Sequence, residues 1–306
     1  MLQAAIVQSS PVFLDLKGCV DKACGLIADA AAQGARVIAF PETWLPGYPV
    51  WLDYSPNAGI WDHPPAKTLF RRLWENSVAL DSPELSTLAA CAAKHRALVL
   101  MGVHERVGST LYNSILYITG DGVIGVHRKL MPTYTERMIW GQGDGSTLIA
   151  VDFEGARVGG LICWEHWMPL TRAAMHTHRE LIHVAQWPMV NGMHLVASRH
   201  YAFEGQCFVL AAGAVLHSDE LPGGFALLDE IPRGPILRGG SAIIGPDGSL
   251  IGEQKRDVEA ILYAEIDERK AIEGRMLLDV NGHYSRPDVF RLEVDERPKS
   301  GVAFLK

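Results

Sequence analysis

Residues 2–8, LQAAIVQ, form a short apolar run that predicts a buried strand. From Leu16 the apolar positions Leu16, Val20, Ala23, Cys24, Ile27 and Ala31 recur at three- and four-residue intervals. That period belongs to a helix with one buried face, with Asp15 placed as its N-cap and Gly34 as its stop. RVIAF, residues 36–40, predicts a second strand, so the chain opens on a β-α-β unit with parallel pairing. Residues 42–66 read as a loop, with five prolines and a concentration of aromatics. Helical patterns follow at about 67–79 and 83–95, then a strand at 97–104.

The middle of the chain changes character. Extended pieces joined by tight turns, YNSILYIT–GDG–VIGVHR and TLIAVDF–EG–ARVGGLI, predict hairpins. A helix from Pro169, a strand in ELIHVAQ, a helix near 193–206 and a strand at 207–213 predict a second β-α-β-α-β passage. A last hairpin turns at GPDG, 245–248, and Asp267–Arg275 reads as helical. No linker, low-complexity stretch or short-period repeat divides the chain, which predicts one domain over 1–306, α/β in class. Periodicity leaves open whether it holds one sheet or two stacked sheets.

Composition narrows the partners. With 28 Lys+Arg against 35 Asp+Glu, a net charge of −7 and no basic run, neither nucleic acid nor an anionic membrane is expected as a partner. The longest nearly unbroken apolar run, CFVLAAGAVL, is about half a membrane span. MLQAAIVQSS has no basic n-region and no long apolar segment, so no signal peptide is expected. The five cysteines, at 19, 24, 91, 163 and 207, are odd in number and fit no zinc or C-x-x-C pattern. Reduced thiols in a cytoplasmic protein are the expectation, with no metal.

Candidate chemistry stands where predicted strands end. Glu42 follows RVIAFP, Lys129 follows VIGVHR, Cys163 follows RVGGLI, and Trp187 follows LIHVAQ. Reactive crevices in α/β architectures lie beyond the carboxyl ends of strands, so these groups can converge. A thiol of pKa ~8.5 is only a few per cent thiolate at neutral pH. An ammonium at ~4 Å can stabilise the anion by on the order of 4 kcal/mol at an effective dielectric of ~20. A buried carboxylate can take the thiol proton, return it to a leaving nitrogen and then activate water. Cys, Lys and Glu together therefore point to hydrolysis or acyl transfer through a thioester. His166, three residues after Cys163, is the competing base, and otherwise a pocket residue.

Around these residues the chain resembles the nitrilase (carbon–nitrogen hydrolase) superfamily, and its true nitrilase branch most closely. The resemblance rests on FPETWLPGYPVW, HRKLMPTYTERMIWGQGDGS, GLICWEHWMPL and GHYSRPDVFRL, in the family order Glu, Lys, Cys. It implies a four-layer α-β-β-α sandwich, with Glu42 as general base, Lys129 as stabiliser of the tetrahedral intermediate and Cys163 as nucleophile. Glu136 matches a second glutamate beside the lysine, which positions Lys129 and the attacking water. No cofactor is implied. The implied substrate is a small nitrile, for which Tyr48, Trp140, Trp164, His166 and Trp187 are the expected pocket residues. The alternatives are an amidase-type or nitrile-hydrating member of the superfamily, or a non-catalytic scaffold of its fold. Residues from about 280 read as a C-terminal extension whose alternating DVFRLEV could pair with a second subunit, so a homodimer or larger homo-oligomer is expected.

Overall fold

The computed structural model describes residues 2–299. In chain order its elements begin with β1 (Leu2–Gln8), α1 (Leu16–Ala32), β2 (Val37–Ala39), α2 (Trp51–Tyr54), α3 (Pro64–Glu75), α4 (Pro83–His95), β3 (Leu98–Val107), β4 (Thr110–Thr119) and β5 (Gly122–Arg128). They continue with β6 (Ala150–Phe153), β7 (Ala156–Ile162), α5 (Pro169–His176), β8 (Ile182–Gln186), α6 (Gly192–Gly205) and β9 (Phe208–Ala212). Then come β10 (Val215–His217), α7 (Ala226–Asp229), β11 (Pro235–Arg238), β12 (Ala242–Ile244), β13 (Leu250–Ile251), β14 (Ala260–Ile266) and α8 (Glu268–Arg275).

Two six-stranded sheets stack, in the orders β14-β1-β2-β3-β4-β5 and β13-β12-β9-β8-β7-β6. Each has three parallel strands at its centre, β1-β2-β3 and β7-β8-β9, with antiparallel strands on both sides. Side chains alternate along the first sheet. Ala5, Val7, Ile38, Val99 and Met101 pack with apolar residues of α1 and α4. Ala4, Ile6, Val37, Ala39 and Leu100 pack with Val158, Val184 and Leu210 of the second sheet. Ala174 and Met175 of α5, with Ala197, Tyr201 and Ala202 of α6, cover the second sheet's outer face. The result is the four-layer α-β-β-α sandwich that the resemblance implies. Strands buried on both faces read as continuous apolar runs, so their periodicity could not count the sheets.

Some expectations change. β14 was not foreseen, yet it pairs with β1 along its whole length, from Leu2↔Ile266 to Gln8↔Ala260. The first helix after the proline-rich loop begins at Pro64 and ends at Glu75, because Pro is tolerated in a first helical turn. The alternating tail forms no strand among the described residues. Val289 and Phe290 donate backbone N–H bonds to Arg286, closing a turn, and DVFRLEV finds no sheet within its own subunit.

One position couples the sheet directly to the reactive edge. The turn from Pro41 to Thr43 lies so close to β3 that a Cβ at Gly102 would collide with the Pro41 carbonyl and come within 2.6 Å of the Thr43 nitrogen. Gly102→Ala should therefore displace the Glu42 turn and lower stability by about 1–3 kcal/mol, the cost of overpacking a tight site. Gly25→Ala, on α1 with nothing near its added Cβ, should instead be neutral or stabilising by up to about 1 kcal/mol. Denaturation curves of both variants check the pair, and equal shifts would refute the steric account.

Candidate active site

Glu42 lies three residues past β2, on a turn whose Thr43 has φ +44°. Its backbone N–H donates to the Trp187 carbonyl (3.3 Å), which ties this turn to the opposite sheet. Lys129 follows β5 and continues its pairing, donating its backbone N–H to Asn113 (2.8 Å). Cys163 follows β7 with φ +55°, a left-handed conformation that costs an ordinary residue about 1–2 kcal/mol. That bend turns the thiol out of the sheet. Single atoms of Glu42, Glu136 and Cys163 all lie within 4.8 Å of one another. The Lys129 ammonium donates to Glu42 Oε1 (2.9 Å) and to Glu136 Oε2 (2.6 Å). Asn113 Nδ2 donates to Glu42 Oε1 (2.7 Å), and Tyr48 OH donates to Glu136 Oε1 (3.0 Å). Glu42 Oε2 is buried with no protein partner.

The electrostatics follow from this crowding. Burial pushes the Glu42 carboxyl up to about 7, the Glu136 charge adds to the rise, and Lys129 resists it. Burial, then the Glu42 charge, push the Cys163 thiol well above its ordinary value, with Lys129 countering. Burial works against the Lys129 charge, but Cys163 (once ionised), Glu42 and Glu136 hold it as an ammonium. The expected stabilisation of a thiolate by Lys129 is thus outweighed at rest, because two carboxylates share the same cation. Glu42, Glu136 and Cys163 have the spacing of a metal site, yet the ammonium already bonds both carboxylates.

Glu165 holds the nucleophile's strand end against the lysine's. Its Oε2 accepts from the Ile162 N–H (2.7 Å) and lies 2.8 Å from His127 Nε2. Its Oε1 accepts from the Leu130 N–H (2.8 Å). His127 Nδ1 faces the Thr147 carbonyl (2.9 Å), which only accepts, so a proton on each ring nitrogen satisfies both contacts. Although burial opposes both charges, the pair's mutual attraction raises His127 and lowers Glu165.

The expected pocket residues divide. Tyr48 and Trp164 line a cavity of about 500 Å³ with Cys163 and Glu136 at its inner end, as do Asp53, Tyr54, His194, Met189 and Leu237. Trp140, His166 and Trp187 do not line it; they are buried behind it. Trp140 donates Nε1–H to His104 (3.0 Å) and presents its ring to the Lys129 ammonium, 5.6 Å from the centroid. Trp187 donates to Ser198 Oγ (3.2 Å) and is sandwiched between His166 and His194. His166 bonds the Cys163 carbonyl through Nδ1 (2.7 Å), and burial and His183 push it down to about 3. It therefore cannot be the base. His194 both packs on Trp187 and borders the cavity.

Behind His166 a chain of buried hydrogen bonds continues through His183 to Glu180. His166 Nδ1 must donate to the Cys163 carbonyl, so its Nε2 accepts from His183 Nε2 (3.0 Å). Burial pushes His183 well below its ordinary value and the Glu180 carboxyl up to about 7, so neutral His183 accepts at Nδ1 from Glu180 (3.0 Å) when that carboxyl is protonated. Tyr201 OH donates to the other Glu180 oxygen (2.6 Å). Asn113, His183 and Glu180 carried no recognisable signal in the sequence, and His127 and Glu165, although inside the family motifs, were given no role there. Their partners are 3 to 71 residues distant, and only the fold brings them together.

Comparison with known proteins agrees with this geometry. The carbon–nitrogen hydrolase family model matches residues 3–275. An aliphatic nitrilase of Sinorhizobium fredii is 39% identical over 302 residues, covering 98% of this chain and 97% of that protein. An arylacetonitrilase of Aspergillus niger is 37% identical, covering 98% and 94%. A carbon–nitrogen hydrolase structure from Helicobacter pylori superposes with TM-score 0.69 at 20% identity, covering 90% of this chain and 92% of that one, which speaks for the fold. The chain belongs to the carbon–nitrogen hydrolase family.

Proposed function

We propose that this protein is a nitrilase, hydrolysing organic nitriles to carboxylic acid and ammonia through a covalent adduct on Cys163. The observation that carries the reading is one thiol, one ammonium and two carboxylates converging at the inner end of a largely apolar cavity. Full-length similarity to proteins named as nitrilases supports it. An uncharged nitrile enters such a cavity without the desolvation cost of an ion.

The roles follow from the contacts. Glu42 Oε2, free of protein donors, takes the Cys163 proton as sulfur attacks the nitrile carbon. The nitrile nitrogen gains that proton, giving a thioimidate. Lys129 uses two N–H bonds on the glutamates and has a third for the developing negative charge. Water then adds to the same carbon as Glu42 takes its proton. Protonation of the amine releases ammonia and leaves a thioester, and a second water releases acid and restores the thiol. If sulfur departs before nitrogen, amide escapes instead. Glu42 and Glu136, both at the site, stabilise positive charge on the leaving nitrogen and favour ammonia. Each 1.36 kcal/mol between the two exits changes the ratio about tenfold.

We also assign residues up to about 280 to one catalytic domain and the remainder to an extension at a subunit interface. Val289 and Phe290, 55% and 78% exposed, are apolar side chains that a partner subunit would cover. Five free cysteines fit a reducing compartment such as the cytoplasm. Among the described residues no helix is long and apolar enough to cross a membrane.

Three experiments test these readings. Cys163→Ala should abolish acid and ammonia formation across a panel of nitriles and amides while leaving the circular dichroism unchanged. Mass spectrometry of the wild type should find adduct on Cys163 alone, since of the five cysteines it is the one that lines the cavity and has Glu42 beside it to take its proton. More than a few per cent residual turnover would exclude the mechanism. The second test is pH dependence. The active form of Glu42 is the carboxylate and its pKa is about 7, so kcat/KM should rise with pH through that value and fall roughly tenfold per unit below it. A flat profile across the acid side would reject Glu42 as base. Third, sedimentation at micromolar concentration should show a homodimer or larger, and Phe290→Asp should shift it toward monomer. An active wild-type monomer would refute the interface.

A further inference from the structure

The cavity is asymmetric in charge. At its inner end Cys163 and Glu136 are at most 4% exposed, whereas Tyr54 and Trp164 are 37% and 53% exposed and mark the mouth. Asp53, on α2, is exposed at this open side. The lining holds two carboxylates, Asp53 and Glu136, and no lysine or arginine. Lys129 lies behind the lining and already answers Glu42 and Glu136. Asp53 is left without a counterion.

Among the described residues the aspartates divide between those that make an ion pair and those that do not, and Asp53 is among the latter. Asp257, Asp267 and Asp288 each pair with an arginine within 2.8 Å, even at the surface. Asp53 makes no ion pair among the described residues, although partial burial and the Glu136 charge both raise its pKa. Asp53 is exposed to water in the free protein, and its charge stands beside the apolar walls formed by Tyr54, Trp164, Met189 and Leu237, where a ligand of opposite charge would meet it.

Neighbouring polar atoms have the same sense. His194 Nδ1 lies 2.7 Å from the Met189 carbonyl and must donate to it, and burial keeps the ring neutral, so Nε2 is an acceptor. Tyr54 OH donates to the Ile236 carbonyl (3.2 Å), which leaves its oxygen as an acceptor. The hydroxyls of Thr133, Tyr134 and Thr135 can serve either way. Trp164 offers one obligate donor, its uncharged indole N–H, which cannot offset two carboxylates.

We infer that the cavity selects nitriles bearing a cationic amine at the end remote from the nitrile, disfavours those bearing a carboxylate there, and that Asp53 sets this preference. The inference rests on the nitrile-hydrolysing reading and names its substrate class. An ammonium at the mouth would meet Asp53 and the acceptors of His194 and Tyr54, while its chain fills the apolar cleft. A carboxylate there would meet like charge with no cation to receive it.

The test uses the intact protein and three nitriles of equal chain length: an alkyl nitrile, an ω-ammonium nitrile and an ω-carboxylate nitrile. Wild-type kcat/KM should follow the order ammonium, alkyl, carboxylate, and the spread should shrink as salt is added. Asp53→Asn should lower the ammonium-to-alkyl ratio by about fivefold or more, about 1 kcal/mol at tenfold per 1.4 kcal/mol. Asp53→Glu, which keeps the charge, should retain the wild-type order and shows that the loss is not one of folding. Equal turnover of the ammonium and carboxylate nitriles, or unchanged ratios in Asp53→Asn, would overturn the inference while leaving nitrile hydrolysis standing. Turnover of none of the three, with amides hydrolysed, would overturn the nitrile reading and this inference together.

Discussion

The reactive edge depends on one buried carboxylate that takes no part in the reaction. Glu165 accepts from the backbone on both sides of the site, at Ile162 before the nucleophile and at Leu130 after the lysine. His127 neutralises it. This link joins the end of β7 to the end of β5, and Cys163 sits in a backbone conformation that must be held. Removing one member of a buried pair costs about 3–5 kcal/mol, because the remaining charge is left uncompensated. His166 secures the other side by binding the Cys163 carbonyl, so the nucleophile's backbone is fixed from before and behind.

Once those ends are joined, the chemistry is governed by charge count. One ammonium lies between two carboxylates, and the thiol is added to a site already negative when Glu42 is ionised. On the proposed mechanism Cys163 therefore rests as a thiol, and proton transfer to Glu42 accompanies attack. A carboxylate raised to about 7 suits that task, because a base is most effective when its pKa lies near the working pH. The same arrangement protects the resting enzyme, since a thiol reacts far more slowly than a thiolate with stray electrophiles. Trp140 completes the setting by offering a ring face to Lys129 rather than a wall to substrate.

What was legible in the sequence is what repeats locally. The helix from Leu16 and the two β-α-β passages have periodicities set by neighbouring residues, and Glu42, Lys129 and Cys163 stand at strand ends where apolar runs stop. The stacking of two sheets was not legible from periodicity, because double burial erases the alternation that would reveal a face. β14 escaped notice because its partner β1 lies about 260 residues earlier. Among the aromatics, composition could not separate Tyr48 and Trp164, which face the cavity, from Trp140, His166 and Trp187, which lie behind it. That difference depends on which N–H groups find buried partners, at His104, the Cys163 carbonyl and Ser198. Such pairings exist only in the fold.

The charge pattern that shapes the reaction also acts on its product. In the proposed reaction a nitrile arrives uncharged at its reacting end, but the acid leaves as a carboxylate formed beside Glu42 and Glu136. Repulsion at this short range, in a site that excludes water, is larger than the same charges would give in solvent. It raises the free energy of bound product without affecting bound substrate, so affinity for the acid falls while affinity for the nitrile is kept. Asp53 extends the negative field along the way out. On the proposed mechanism the two carboxylates that favour departure of ammonia over sulfur would therefore also expel the acid, and one set of charges would serve both ends of the cycle.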